Sequence, residues 1–323
     1  MSAAATSPEY DLTLTLARKE VVADGVVRLA LRDAGGASLP SWKPGAHIDL
    51  VLDNDLVRQY SLCGDLTDTA QFEVCVLREE TGRGGSKHVH DQLSEGSTVR
   101  IKGPRNNFHL VEAQEYVFIA GGIGITPIVP MIRSVAARGA EWRLIYGGRT
   151  RKTMAFAEQL AAENPDRVDI RPQDETGLLD IAGVVDELVD VTDVRVYCCG
   201  PEPLLAVVEE ACASRGISLH VERFAPKAGA LDGSCEEFVV ELARSGVSLT
   251  VPADCSIIEV LEEAGVMVPF SCEEGICGTC QTTVLAGVPD HHDSVLTEEE
   301  QAAGDTMTVC VSRSRTPRLV LDL

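Results

Sequence analysis

The sequence predicts a multidomain protein in which an antiparallel β-barrel or sandwich, an α/β domain built on a parallel sheet and a small α+β domain follow one another. Three observations predict it. Short β-rich runs broken by turn residues fill positions 11–111, strands and helices alternate over 115–221, and a cysteine-rich loop lies among short elements after position 236. At 323 residues the chain exceeds the roughly 250–300 at which single hydrophobic cores stop growing. The boundaries that follow are 1–112, 113–225, a linker at 226–235, and 236–323.

Composition narrows the function classes. No apolar run approaches the roughly 20 residues of a membrane span, and the opening MSAAATSPEY lacks the charged start and apolar middle of a signal peptide. A cytoplasmic protein that does not enter membranes is expected. Eleven cysteines in that setting point to reduced thiols, some with a metal role, over a disulfide framework. A net charge of −22 argues against nucleic acid, whose phosphates need a basic surface.

In the first domain the runs DLTLTLA, VVRLALRD, HIDLVL, VRQYSLCG, QFEVCVL and STVRIKG read as strands, while Trp42–His47 and Lys102–Arg105 read as turns between them. Alternation in Arg58-Gln59-Tyr60-Ser61-Leu62 puts Arg58, Tyr60 and Leu62 on one face, Gln59 and Ser61 on the other. Arginine suits a terminal phosphate because its planar fork donates two hydrogen bonds, and a nearby tyrosine can pack on a flat ring. Gly82-Arg83-Gly84-Gly85-Ser86 precedes a helix-like KHVHDQL and reads as an anion cradle. A surface arginine and a plain turn are the bland alternatives; the pairing of the two motifs in one β-domain favours a phosphate site.

The second domain reads as βαβα. EYVFIAGG leads to a helix through Ile132, WRLIYGG to TMAFAEQLAAE, RVDIRP to LLDIAGVVDELV, VRVYCCG to PEPLLAVVEEACASRG, and ISLHVE closes it. Ligands of such sheets sit beyond the carboxyl ends of the strands. Three of those ends carry glycines: Gly121-Gly122-Ile123-Gly124-Ile125-Thr126-Pro127, Gly147-Gly148-Arg149 and Cys199-Gly200-Pro201. The first departs from the G-x-G-x-x-G fingerprint, because Pro127 stands at the third glycine. Glycines after strands are common turn formers, but three at one sheet edge favour a nucleotide crevice.

The third domain opens with a hairpin (EFVVELARSGVSLTV) and a helix (SIIEVLEEAG), followed by the cysteine loop, two short strands around a TEEEQAAG helix, and a closing strand. Cys272, Cys277, Cys280 and Cys310 have the x4, x2, x29 spacing of plant-type ferredoxins, which hold a [2Fe–2S] cluster. Structural zinc uses paired short knuckles instead. Gly275 and Gly278 suit a chain wrapped tightly round a cluster. Cys63, Cys75, Cys198, Cys212, Cys235 and Cys255 read as small buried hydrophobes or free thiols, and the histidines as satisfied core or surface residues.

These motifs, in this order, resemble the phthalate dioxygenase reductase type of the ferredoxin–NADP reductase superfamily, the group that includes vanillate demethylase reductases. The resemblance covers all but the first ten or so residues. It implies an FMN-binding barrel, an NADH-binding domain and a β-grasp ferredoxin domain with the cluster on Cys272, Cys277, Cys280 and Cys310. It implies that Arg58 contacts the flavin phosphate, that Tyr60 and Ser61 line the isoalloxazine, and that Gly84, Gly85 and Ser86 form the phosphate loop, with Gln59 and Val76 among the flavin contacts. It places Gly122, Gly124, Thr126, Gly148, Arg149, Cys199, Gly200 and Pro201 along the dinucleotide. Thr126 then lies near both flavin and nicotinamide, Cys199 faces the nicotinamide, and Phe224 covers the flavin. Thr126, Cys199 and Phe224 are thus the candidate catalytic residues. Arg149, Arg151 and Lys152 stand where NADPH enzymes hold a 2′-phosphate, which keeps NADPH as the less favoured alternative to the NADH implied by the architecture.

The expected activity is electron transfer from NADH through FMN and the cluster to a terminal oxygenase, either a Rieske non-haem iron enzyme or a cytochrome P450. The alternative is a stand-alone flavin oxidoreductase acting on a small molecule. Positions 236–323 hold 16 acidic and 4 basic residues. A solvated acidic face is the ordinary explanation of such a bias; beside an electron carrier it suggests docking of the oxygenase on the ferredoxin domain. The protein is expected to be a monomer.

Overall fold

A computed structural model describes residues 10–52, 56–226 and 236–323. The linker expected at 226–235 lies outside the described residues except for Pro226, as does Cys235. The chain divides into two compact units, 1–222 and 223–323. Among the described residues no helix is long and apolar enough to cross a membrane.

In the first unit, β1 (Asp11–Ala23), β2 (Val26–Arg32), β3 (Ala46–Val51), β4 (Val57–Ser61), β5 (Phe72–Leu77) and β6 (Thr98–Asn106) form an antiparallel sheet in the order β4-β3-β6-β1-β2-β5. The edges meet where Leu62 bridges Val74 and the Cys63 N–H donates to the Glu73 carbonyl at 2.9 Å, so the sheet curls closed. Period-two alternation sends Leu14, Leu16, Leu29, Leu31, Ile48, Leu50, Val99 and Ile101 inside. The helix α1 (Gly85–Asp91) adds Val89 to that core. Each enclosed aliphatic side chain stabilises the fold by roughly 1.5–3 kcal/mol.

Lys102–Arg105 is not a turn: β6 runs straight through it. Gly103 takes φ +107°, and a register shift between His47 and Asp49 on β3 absorbs the irregularity. The strand is worth continuing because Arg105 then meets the fully buried Asp49 carboxylate at 2.5 Å.

The rest of the first unit is a parallel sheet in the order β11-β10-β7-β8-β9. The chain passes through β7 (Glu115–Gly121), α2 (Ile125–Ala137), β8 (Glu141–Gly148), α3 (Ala157–Glu163), β9 (Val168–Pro172), α4 (Gln173–Thr176), α5 (Ile181–Asp186), β10 (Val194–Cys199), α6 (Glu202–Arg215) and β11 (Leu219–Glu222). α2 outruns its expected end at Ile132, since Ile128, Met131, Ile132 and Val135 remain on its buried face. The stretch 153–156 stays outside α3, because Phe156 turns left-handed at φ 64°. The barrel and this sheet share a core in which Val26, Cys63, Cys75 and Phe108 pack in one cluster with Phe118, Ile125, Ile128, Met131 and Tyr146.

The second unit is a mixed sheet in the order β13-β12-β18-β14-β16, from β12 (Phe238–Leu242), β13 (Val247–Val251), β14 (Gln281–Ala286), β16 (Thr306–Thr308) and β18 (Arg318–Leu321). The small pair β15 (Pro289–Asp290) and β17 (Arg313–Ser314) lies apart from it. β12 and β18 run parallel and their neighbours antiparallel. Helix α7 (Ile257–Glu263) starts at a Ser256/Glu259 capping box and buries Ile257, Ile258 and Leu261. A second box, Thr297/Glu300, starts α8 (Glu298–Ala303). Cys280 and Cys310 belong to this unit's core.

Candidate functional site

The strand order places β7 and β10 side by side where the winding of the parallel sheet reverses, the usual crevice for a dinucleotide. Two glycine turns meet there. A Cβ on Gly124 would stand 2.2 Å from the Cys199 carbonyl oxygen, and one on Gly121 would stand 2.7 Å from Pro201. Only bare backbone permits that approach, so Gly121, Gly124, Cys199, Gly200 and Pro201 are brought together, with Gly122 in the left-handed turn between the two glycines at φ +55°. Thr126 is buried at the start of α2 and donates from Oγ1 to the Ile123 carbonyl at 3.0 Å.

The barrel contributes to the same place. Ser61, at the end of β4, donates from Oγ to Glu222 Oε2 at 3.1 Å. Glu222 lies opposite Cys199 in the parallel pairing of β10 and β11, and its Oε2 is 3.9 Å from Cys199 Sγ. Burial pushes the Glu222 carboxyl up to about 8, against the lowering effect of Ser61 and Cys199. Burial first, and the neighbouring Glu222 charge second, raise the Cys199 thiol well above its ordinary value. Glu222 is the residue that sequence reasoning missed. Its signal was positional: the last residue of the final parallel strand, level with Cys199. Phe224 follows two residues later in a bend, 42% exposed, and belongs to the second unit.

The phosphate motifs also converge. Gly84 takes φ +91° at the start of α1, and a Cβ on Gly85 would stand 2.5 Å from Arg58 Cγ, so the arginine side chain lies directly on that glycine. Arg58 Nη1 donates to its neighbour's carbonyl, Val57, at 2.7 Å. Ser86 Oγ accepts from the Glu79 N–H at 3.0 Å and ties the loop to the end of β5. At the other end of α1, Lys19 Nζ donates to the carbonyls of Val89, His90 and Leu93 at 2.7–2.8 Å. Tyr60 packs partly against the barrel core, and burial pushes its hydroxyl up to about 12. Gln59 sits opposite Asp49 on β3. Val76 is fully enclosed in the barrel core and its carbonyl meets His90 Nε2 at 2.9 Å.

Beyond β8, Gly148 gives room to Met154, whose Cγ would lie 2.3 Å from a Cβ there. Arg149 is exposed, and its carbonyl accepts from the Asp174 N–H at 3.3 Å. Arg151 is engaged by two carboxylates: its Nε and Nη2 donate to Glu175 at 3.3 and 3.0 Å, and its Nη1 to Glu158 at 3.2 Å. That pairing holds the Glu175 carboxyl below its usual range.

In the second unit Cys272, Cys277, Cys280 and Cys310 are all buried, and they shift one another's ionisation, Cys277 and Cys310 lowering the Cys272 thiol and Cys272 and Cys280 raising that of Cys310. The Glu274 N–H donates to Cys272 Sγ at 3.3 Å and the Thr279 N–H to Cys277 Sγ at 3.4 Å. Glu273, Gly275 and Gly278 take φ 57°, 68° and 68°, the left-handed turns that wind the loop round its sulfurs. Four convergent thiols and backbone N–H groups aimed at sulfur fit an iron–sulfur cluster. The remaining described cysteines behave as expected: Cys63, Cys75, Cys198 and Cys212 are buried, and Cys255 is half-buried.

Comparison with known proteins agrees with each region in turn. Residues 13–110 match the oxidoreductase FAD-binding domain, 118–210 the oxidoreductase NAD-binding domain, and 240–315 the 2Fe-2S iron-sulfur cluster binding domain. The chain is 42% identical over 327 residues to the phenoxybenzoate dioxygenase subunit beta of Ectopseudomonas oleovorans, covering 100% of both chains. It is 38% identical over 330 residues to phthalate dioxygenase reductase of Burkholderia cepacia, covering 98% of this chain and 100% of that one. The crystal structure of an intact type IV self-sufficient cytochrome P450 monooxygenase superposes with a TM-score of 0.90 at 42% identity, over 97% of this chain and 41% of that larger one. From the three domains and these full-length likenesses, the chain belongs to the phthalate dioxygenase reductase family, NAD(P)H-dependent oxidoreductases that join flavin, nicotinamide-dinucleotide and [2Fe–2S] domains.

Proposed function

We propose that this reductase takes electrons from NADH, uses FMN as its flavin, and delivers them from its cluster to a terminal oxygenase in the cytoplasm, acting as a monomer. The observation that carries the reading is the meeting of Ser61, Glu222 and Cys199, where one residue of the flavin barrel and two of the nucleotide sheet share a hydrogen-bonded corner. Bound flavin supplies the conversion from a two-electron hydride to single electrons, and the cluster carries those onward.

The chain supplies orientation and charge control. Gly121, Gly124 and Gly200 let the two turns close on each other at the sheet edge assigned to the dinucleotide, with Thr126 held by its bond to Ile123. Ser61 donates to Glu222 Oε2, and the raised carboxyl holds a proton there near neutral pH, so a hydride carrier docks beside an uncharged corner. Arg58 and the Gly84-Gly85-Ser86 turn receive a terminal phosphate, which favours FMN. Cys272, Cys277, Cys280 and Cys310 hold the cluster.

Two features support the finer choices. Arg151 is already neutralised by Glu158 and Glu175, which favours NADH over its 2′-phosphorylated form. The acidic face at 236–323, including the exposed Glu273 beside Cys272, favours a basic surface on an oxygenase partner.

Anaerobic stopped-flow mixing with NADH tests the order of transfer. Flavin bleaching should precede cluster bleaching; simultaneous loss of both absorbances at every NADH concentration would sink it. Acid extraction of the flavin followed by chromatography decides FMN against FAD.

A further inference from the structure

Three cations follow β8, at the strand end where a dinucleotide places its adenosine ribose, and such a cluster ordinarily receives a 2′-phosphate. The chain answers one of them, Arg151, from outside that loop. Glu175 comes from α4, after the next strand, and Glu158 from α3. The Asp174 N–H bond to the Arg149 carbonyl pins α4 to the loop, one residue before Glu175. Arg151 is also fixed from its own side. It opens a short turn (Arg151–Thr153) whose start is capped reciprocally by Thr150 and Thr153, so the guanidinium projects from a defined backbone. Glu175 takes Nε and Nη2 together, the geometry an arginine fork would otherwise offer to two phosphate oxygens.

We infer that Glu175, assisted by Glu158, sets the coenzyme choice by occupying Arg151 in place of a 2′-phosphate. This rests on the NADH reading above. A dianionic 2′-phosphate arriving at this corner has to break the Glu175 fork and then sits against two freed carboxylates. A 2′-hydroxyl disturbs nothing. In the sequence only the basic residues stand together, because the partners of Arg151 lie 7 and 24 residues further on.

The test is the ratio of kcat/KM for NADPH to that for NADH, measured on the holoenzyme with ferricyanide as acceptor. In Glu158→Gln/Glu175→Gln the ratio should rise about 5- to 10-fold, the scale of an exposed ion pair plus relief of like-charge repulsion. Adding Arg151→Ala to that background should return the ratio to the wild-type value, and raising the salt concentration should shrink the gain. A purely structural role would lower both specificity constants together and leave the ratio fixed. A wild-type preference for NADPH would overturn the NADH reading and this inference with it. Wild-type preference for NADH combined with an unchanged ratio in the double variant overturns the inference alone.

Discussion

Ser61 on the barrel and Glu222 on the parallel sheet are joined by a 3.1 Å hydrogen bond, so the flavin and nucleotide halves meet through a carboxyl group raised to about 8. The cause is burial, and the sign follows. The folded protein holds this proton between the ordinary carboxylate range and about pH 8, where an unfolded chain does not, so stability contributed here is lost as pH rises through that window. Function follows the same direction. Ionisation above about pH 8 puts a negative charge at the corner proposed for hydride transfer. The rate of flavin reduction by NADH should fall across that pH, and Glu222→Gln should flatten the profile; a wild-type profile flat from pH 6 to about pH 9 would refute the assignment.

Arg58→Ala should weaken flavin binding about 10- to 100-fold, the worth of one or two charge-assisted hydrogen bonds. Gly85→Val should do nearly the same while keeping the charge, because its Cβ falls 2.5 Å from Arg58 Cγ and displaces the side chain. Equilibrium dialysis of the flavin-free protein against FMN measures both. Equal affinity in Gly85→Val and wild type would dissociate the loop from the phosphate.

Cys277→Ser should abolish the visible spectrum of the cluster while leaving NADH-dependent ferricyanide reduction largely intact. Reduction of cytochrome c should drop at least ~10-fold, since single electrons then lack their outlet. Undiminished transfer to a protein acceptor without the cluster would break the proposed order.

Gly275→Ala tests the winding of the cysteine loop without touching a thiol. At φ +68° an added Cβ meets Val311 Cγ2 at 2.6 Å and Asp293 Cα at 3.0 Å. A left-handed alanine costs about 1–2 kcal/mol, and each 1 kcal/mol lowers Tm by about 4–8 °C in a domain of this size. Calorimetry together with iron content should show both a lower transition and a partly lost cluster.

Much of this was legible because the signals were local. Each of the six barrel runs became a strand, the glycine turns fell at the sheet edge, and four cysteines carried their spacing as a signature. The signals that were not local were lost. Glu222 sits on a four-residue strand with no motif of its own, and only the parallel pairing with Cys199 reveals it. Gly103-Pro104 looked like a turn because those residues usually make one, yet the buried Asp49 needed Arg105 and drew the strand onward. The partners of Arg151 were hidden for the same reason, being contributed by later elements.

The cluster formed by Val26, Cys63, Cys75 and Phe108 with the face of α2 makes the barrel and the parallel sheet one cooperative folding unit, although two family signatures divide them. A fragment ending at residue 112 would leave Phe108, Val26 and both thiols bare to water, and should aggregate or remain molten. The durable place to cut is after Glu222. The division after Glu222 leaves the ferredoxin domain as the separable module, while the shared interior ties the flavin and nucleotide domains to each other.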